Sequence, residues 1–245
     1  MTVTKAEHIM GTAVTVTLGE TVSQGERSKE VVCNTFRYLR EMEGLFSTFR
    51  SSSDVSRIRD GCIPISRANV RVRAVLEDCR QLKAATGGAF DHEASSLDPA
   101  GYVKGWAMEG AAKQLTRSGI DDFVIWAGGD VLARTPRGVS GSWRIGIRHP
   151  DDPAVCFSSV ELRNEAVATS GMYERGNHIR RRSHHALTSV SIVGPDLGVA
   201  DALATAVMSS GLTDIQWLTN YPAYRLIALD DDGIVHKANA MVAAG

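Results

Sequence analysis

Val103–Asp130 reads VKGWAMEGAAKQLTRSGIDDFVIWAGGD, and this stretch carries both periodicities on which the fold class turns. As far as Ser118 the apolar positions recur every three or four residues (Val103, Trp106-Ala107, Gly110-Ala111, Leu115), the stripe of a helix packed on one face. Gly119 stops it, because a helix end needs a backbone turn that glycine takes without steric cost. Phe123–Ala127 is then a short unbroken apolar run, which predicts a buried strand. Gly128-Gly129-Asp130 predicts a tight turn directly after it.

Working outward, Ala13–Leu18 alternates apolar and polar residues and predicts a half-buried strand. Helical stripes follow from Ser28 to about Phe46 (Val32, Phe36, Leu39, Met42) and from Asn69 to Ala85 (Val72, Val75-Leu76, Cys79, Leu82), the second stopping at Thr86-Gly87-Gly88. Downstream, Trp143–Ile147, Val155–Leu162, Ala166–Thr169, Leu187–Val193, Arg225–Leu229 and Gly233–Lys237 predict further strands, and Gly198 to about Ser209 a last helix. Strands and helices mix without strict βαβ alternation, so the expectation is an α+β fold, a largely antiparallel sheet with packed helices.

The chain has 245 residues, 43% of them hydrophobic and 22% charged, which excludes a disordered chain. No repeat or linker divides it, and 1–245 is expected to be a single domain. With 27 basic and 28 acidic residues there is no electrostatic footprint for nucleic acid. No apolar run reaches the roughly 20 residues that span a bilayer. The opening residues contain neither a basic leader nor an apolar segment, so a cytoplasmic location is expected. Cys33, Cys62, Cys79 and Cys156 are widely spaced, which predicts buried or half-buried single thiols rather than a zinc site or disulfides.

Candidate chemistry begins with Asp201 and Thr205, four residues apart and therefore on one helical face. A carboxylate and a hydroxyl so placed are hard oxygen ligands suited to Mg²⁺ or Ca²⁺. They also suit a structural role, Asp201 favouring the helix N-terminus and Thr205 bonding back to a carbonyl, and spacing alone favours that role. Asp98-Pro-Ala-Gly-Tyr-Val-Lys-Gly105 puts Gly101 and Lys104 at a helix entrance, where free amides favour phosphate. There is no GxGxxG or Walker A pattern. Thr169-Ser170-Gly171 ends a strand without the GxSxG elbow of a nucleophilic serine, which suggests a backbone-lined ligand turn. His178-Ile-Arg-Arg-Arg-Ser-His-His185 offers either a base with phosphate-neutralising arginines or a solvated basic loop.

Together these segments resemble the ApbE family, the FAD:protein FMN transferases. The resemblance runs through Met10-Gly-Thr12, Glu43-Gly-Leu-Phe-Ser-Thr-Phe49 with Ser53-Asp-Val-Ser-Arg57, Thr86-Gly-Gly-Ala-Phe-Asp91, Leu97–Ala107, Gly128-Gly-Asp130, Thr169–Glu174 and Ala200–Ala206. It implies a T-fold-like α+β arrangement that holds FAD and uses Mg²⁺ (or Ca²⁺ or Mn²⁺) to pass FMN to a threonine hydroxyl of an acceptor protein, releasing AMP. It implies metal ligands at Asp201, Thr205 and the main-chain oxygen of Gly101. Flavin contacts are implied at Met10, Phe49, Gly88, Ala89, Phe90, Asp98 and Ile179, with Phe49 replacing the family's usual tyrosine.

His178 is the implied catalytic base, matching the histidine of a motif that normally reads His-Ile-hydrophobic-Asp-Pro-x-Thr-Gly. Here Arg180–His185 follow instead, Arg181 stands where the family has aspartate, and the loop is shorter. That departure leaves two alternatives beside transfer: a degenerate FAD-binding protein, and an FAD pyrophosphate hydrolase giving FMN and AMP.

Overall fold

Phe123–Ala127 forms β3, and its two faces feed two different cores. Phe123, Ile125 and Ala127 join a cluster shared with the helices. Val124 joins a second cluster with Ile145 and Leu162, and Trp126 packs against it. A strand buried on both faces reads as an unbroken apolar run for this reason.

The computed structural model describes residues 3–23, 25–152, 154–171 and 187–239. In chain order these contain β1 (Thr4–Ile9), β2 (Thr12–Leu18), α1 (Glu26–Phe46), α2 (Asp54–Arg59), α3 (Val70–Ala85) and α4 (Ala100–Arg117). Then come β3, β4 (Asp130–Arg134), β5 (Trp143–Arg148), β6 (Cys156–Leu162), β7 (Ala166–Gly171), β8 (Leu187–Gly194), α5 (Leu197–Ser210), β9 (Arg225–Asp230) and β10 (Val235–Asn239). One sheet runs β1-β2-β3-β4-β7-β8-β9-β10, each described pair antiparallel. Helices cover one face. The β5–β6 ribbon covers the middle of the other, setting Ile145 and Leu162 against Val124, Val131, Val167 and Val193. The expected α+β class with an antiparallel sheet is what forms.

Three elements go beyond the sequence expectation. The strand β4 returns at once from β3: Ala127 pairs with Asp130, so Gly128 and Gly129 are a two-residue hairpin loop, with Gly128 at φ +61°. At the sheet edge, β1 alternates exposed and half-buried residues and has little apolar signal. The short helix α2 is started by Ser53, whose side chain accepts from the Ser56 amide at 3.0 Å. In addition, α4 begins earlier than its apolar stripe, because Pro99 supplies the carbonyl for the Val103 amide at 2.9 Å and Asp98 Oδ1 accepts from the Ala100 amide at 2.9 Å. The thiol expectation fails in part: Cys79 is buried, but Cys33, Cys62 and Cys156 are exposed.

Two contacts fix α4 against its helical neighbours. A Cβ on Gly105 would lie 2.6 Å from the carbonyl carbon and oxygen of Leu197, so α4 and α5 touch backbone to backbone. Tyr38 of α1 lies over Gly110, and Phe46 meets Trp106 edge to face at 5.6 Å. Residues rise along α1 as they fall along α4, so the C-terminal end of α1 lies level with the start of α4.

Candidate active site

At the end of the sheet where β3 turns into β4, separate stretches of chain are tied together. Asp130 is fully buried and is the hub. Its Oδ2 pairs with Lys104 Nζ of α4 at 2.8 Å, and its Oδ1 accepts from the Thr169 amide at 3.1 Å. Thr169 Oγ1 lies 2.9 Å from Ser191 Oγ, its cross-strand neighbour on β8. The next residue, Ser170, turns to the helix face, where its Oγ lies 3.4 Å from Thr205 Oγ1. Lys104, Asp130, Thr169, Ser170 and Thr205 thereby form one connected patch across four elements.

Asp201 sits one turn before Thr205 and is fully buried. It is not the cap of α5; Asp196 fills that position, accepting from the Val199 amide at 2.9 Å. On α4, Gly101 is buried one turn before Gly105. Glu109 Oε1 accepts from the Leu197 amide at 3.0 Å and Gly105 abuts Leu197 and Gly198, so α4 is docked against the first turn of α5.

The β1–β2 hairpin turn lies at this same end, since Val14 pairs with Ala127. Met10 holds φ +56°, a region few residues other than glycine adopt, and its amide donates to Glu43 Oε1 of α1 at 2.9 Å. Just past α1, the Phe49 ring is 97% exposed. Its turn is nonetheless fixed. Ser47 Oγ accepts from the Phe49 and Arg50 amides, each at 3.2 Å, and Ser53 and Ser56 hydroxyls donate to the Ser47 carbonyl.

Gly88 ends α3 at φ +81°, its amide donating to the Lys83 carbonyl at 2.8 Å. Ala89 and Phe90 are buried, so this turn offers backbone rather than the Phe90 ring to a ligand. Asp98 is exposed at the foot of α4. Burial, seconded by Asp78, pushes the Tyr102 phenol well above its ordinary value, so it stays protonated and donates to Asp78 Oδ2 at 3.0 Å. Burial likewise raises the Cys79 thiol, which removes it as a nucleophile. His178 and Ile179, with His184 and His185, lie outside the described residues.

Sequence reasoning noted Lys104, Glu43, Asp130 and Ser170 within motifs but assigned Glu43 and Asp130 no role, and Ser191 only a place in a strand. The signal for Asp130 was its place behind two glycines at a strand start. Its partners lie too far along the chain for spacing to reveal.

The chain matches the family model described as "ApbE family" over residues 10–96 and 91–228. It is similar to the FAD:protein FMN transferase of Rhodobacter capsulatus, 34% identical over 162 residues, covering 60% of this chain and 31% of that protein. The Escherichia coli (strain K12) protein of the same name is 27% identical over 122 residues, covering 44% and 35%. The chain spans about a third of the length of these curated relatives. Among solved structures, the ApbE protein of Thermotoga maritima superposes with a TM-score of 0.80 at 19% identity, over 98% of both chains. The flavinyl transferase ApbE of Pseudomonas stutzeri does so at 0.78 and 21%, over 100% of this chain and 98% of that one. On the strength of the family match and the shared fold, this chain belongs to the ApbE family.

Proposed function

We propose that this chain transfers the FMN half of FAD to a threonine hydroxyl of an acceptor protein and releases AMP, with Mg²⁺ held by Asp201, Thr205 and the Gly101 carbonyl. The supporting observation is the patch in which the Lys104–Asp130, Asp130–Thr169 and Ser170–Thr205 contacts, of 2.8–3.4 Å, meet at the consecutive residues Thr169 and Ser170. The relatives' name, FAD:protein FMN transferase, supplies the reaction class.

The donor set fits a hard cation. It is all oxygen: one buried carboxylate, one hydroxyl and one carbonyl with a lone pair beyond its helix bond. The positive charge of such an ion would offset that of the non-bridging diphosphate oxygens. The chain's own residues bind and orient. Phe49 offers a bare aromatic face for the isoalloxazine ring, and the Gly88–Phe90 turn and Asp98 offer hydrogen bonds beside it. Lys104, fixed by Asp130, supplies a cationic head near the diphosphate.

In the transfer, the threonine oxygen forms a bond to the phosphorus of the FMN half. The bond from that phosphorus to the bridging oxygen breaks, and AMP leaves with that oxygen and the electron pair. The threonine proton passes to a base, a role His178 takes by resemblance. A second reading, FAD held without transfer, is favoured by Arg181 standing where the family has aspartate.

Purified chain incubated with FAD, Mg²⁺ and candidate acceptors is expected to add one FMN to the acceptor by intact mass. Asp201→Ala should reduce this on the order of a thousandfold. FAD retained intact would leave only the holding reading, and AMP release without a modified acceptor would identify hydrolysis.

A further inference from the structure

Asp91, His92 and Glu93 follow the Gly88–Phe90 turn and have no role in the transfer as proposed above. One oxygen from each carboxylate and one ring nitrogen of His92 lie within 4.8 Å of one another. The acids alone would be an ordinary solvated surface. His92 makes the difference. It is 6% exposed, its ring stacks on Phe90 at 6.4 Å with 15° between planes, and its Nδ1 is buried without a hydrogen-bond partner among the described residues. Buried polar atoms are nearly always satisfied, so a buried imidazole that has an unpartnered nitrogen and a ring nitrogen within reach of two carboxylates has the character of a ligand.

A cation already occupies this place. Lys83 Nζ lies 2.7 Å from Asp91 Oδ1 and 3.6 Å from Glu93 Oε2. Asp91 Oδ1 also accepts from the Glu93 amide at 3.0 Å, an additional tie that orders the loop. Two carboxylates facing one ammonium leave an excess negative charge, and the Lys83 side chain is 36% exposed, so its head can withdraw to solvent. We propose that Asp91, His92 and Glu93 bind a borderline divalent transition metal such as zinc, displacing the Lys83 ammonium. The nitrogen donor separates this site from the all-oxygen set at Gly101, Asp201 and Thr205. Imidazole with carboxylates selects zinc, cobalt or manganese, and Mg²⁺ competes poorly for nitrogen.

The test needs no transfer activity, so its failure is independent of the proposed function. The full chain in excess Mg²⁺ is titrated with Co²⁺, read by visible d–d absorption, and the ion is then displaced with Zn²⁺. One Co²⁺ per chain is expected. His92→Ala should weaken binding by about tenfold or more, and exposed Glu93→Gln provides the same test should His92→Ala fail to fold. Lys83→Met should tighten binding, because the competing ammonium is gone, and Asp201→Ala should leave it unchanged. No Co²⁺ binding in excess Mg²⁺ would overturn the proposal, as would equal affinity in His92→Ala or Lys83→Met. So would an ion lost in Asp201→Ala, or one lost in a His184/His185 double variant and retained in His92→Ala.

Discussion

Two buried ion pairs join α4 to β4. Lys104 meets Asp130 at 2.8 Å near the helix start, and Arg134 meets Glu109 at 2.8 Å further along. Each carboxylate also accepts a backbone amide from a third element. Asp130 takes that of Thr169 on β7, and Glu109 that of Leu197 at the head of α5. The pairs are built alike and differ in where they lead. Asp130 connects to the patch that ends at Thr205, whereas Glu109 holds the first residue of α5 where the two helices touch. One fixes a charge at a site and the other fixes a helix.

The comparison breaks if both pairs respond to substitution in the same way. Glu109→Ala leaves Arg134 without its carboxylate and the Leu197 amide without its acceptor, and should cost ~3 kcal/mol in urea unfolding. Turnover per folded molecule should stay near that of the unsubstituted chain. Asp130→Asn keeps an acceptor for Thr169 but removes the charge that aims Lys104. Transfer should fall about a hundredfold, ~2.7 kcal/mol on the barrier, with a smaller change in stability. If Glu109→Ala lost turnover as steeply, the division of roles would be wrong.

Gly105→Ala sharpens the comparison, because the new Cβ meets Leu197 backbone at 2.6 Å and forces α5 away from α4. A stability loss of ~2 kcal/mol is expected, read by thermal unfolding, with transfer also reduced because Thr205 moves relative to Ser170. The smallest effect is on pH dependence. Burial holds the Glu109 carboxyl above its ordinary value of 4.5, outweighing the opposing pull of Arg134 and the Leu197 amide. The folded chain therefore keeps this proton to higher pH than the unfolded chain does. The resulting stability is fully present below 4.5 and is lost as pH rises through the folded value. Glu109→Gln, which does not titrate, should flatten that decline in urea midpoints measured from acid to neutral pH.

These pairs also mark where reading the sequence succeeds and fails. The helix α4 and strand β3 were legible because their apolar spacing is dense and local. The strand β4 was not, since five residues opening on a buried aspartate do not resemble a strand. Asp201 and Thr205 could be paired from the sequence because they share a helix face. Asp130 could not, because its bond to Thr169 spans 39 positions, and the Met10–Glu43 bond spans 33. Contacts of that range are set by sheet order and by how helices dock on the sheet, which no local period encodes. Gly105 falls inside the predicted helix with no role of its own, and only the docked helices show why a Cβ is excluded there.

Phe49 carries a consequence for handling the protein. Its side chain stands 97% in water on a turn tied down by Ser47, Ser53 and Ser56. An oily disc held out on a stiff arm sticks to other oily discs, and concentrated ligand-free chains will adhere through it. Any flat molecule lying across that ring will make the solution less prone to clump, before a single bond has been exchanged.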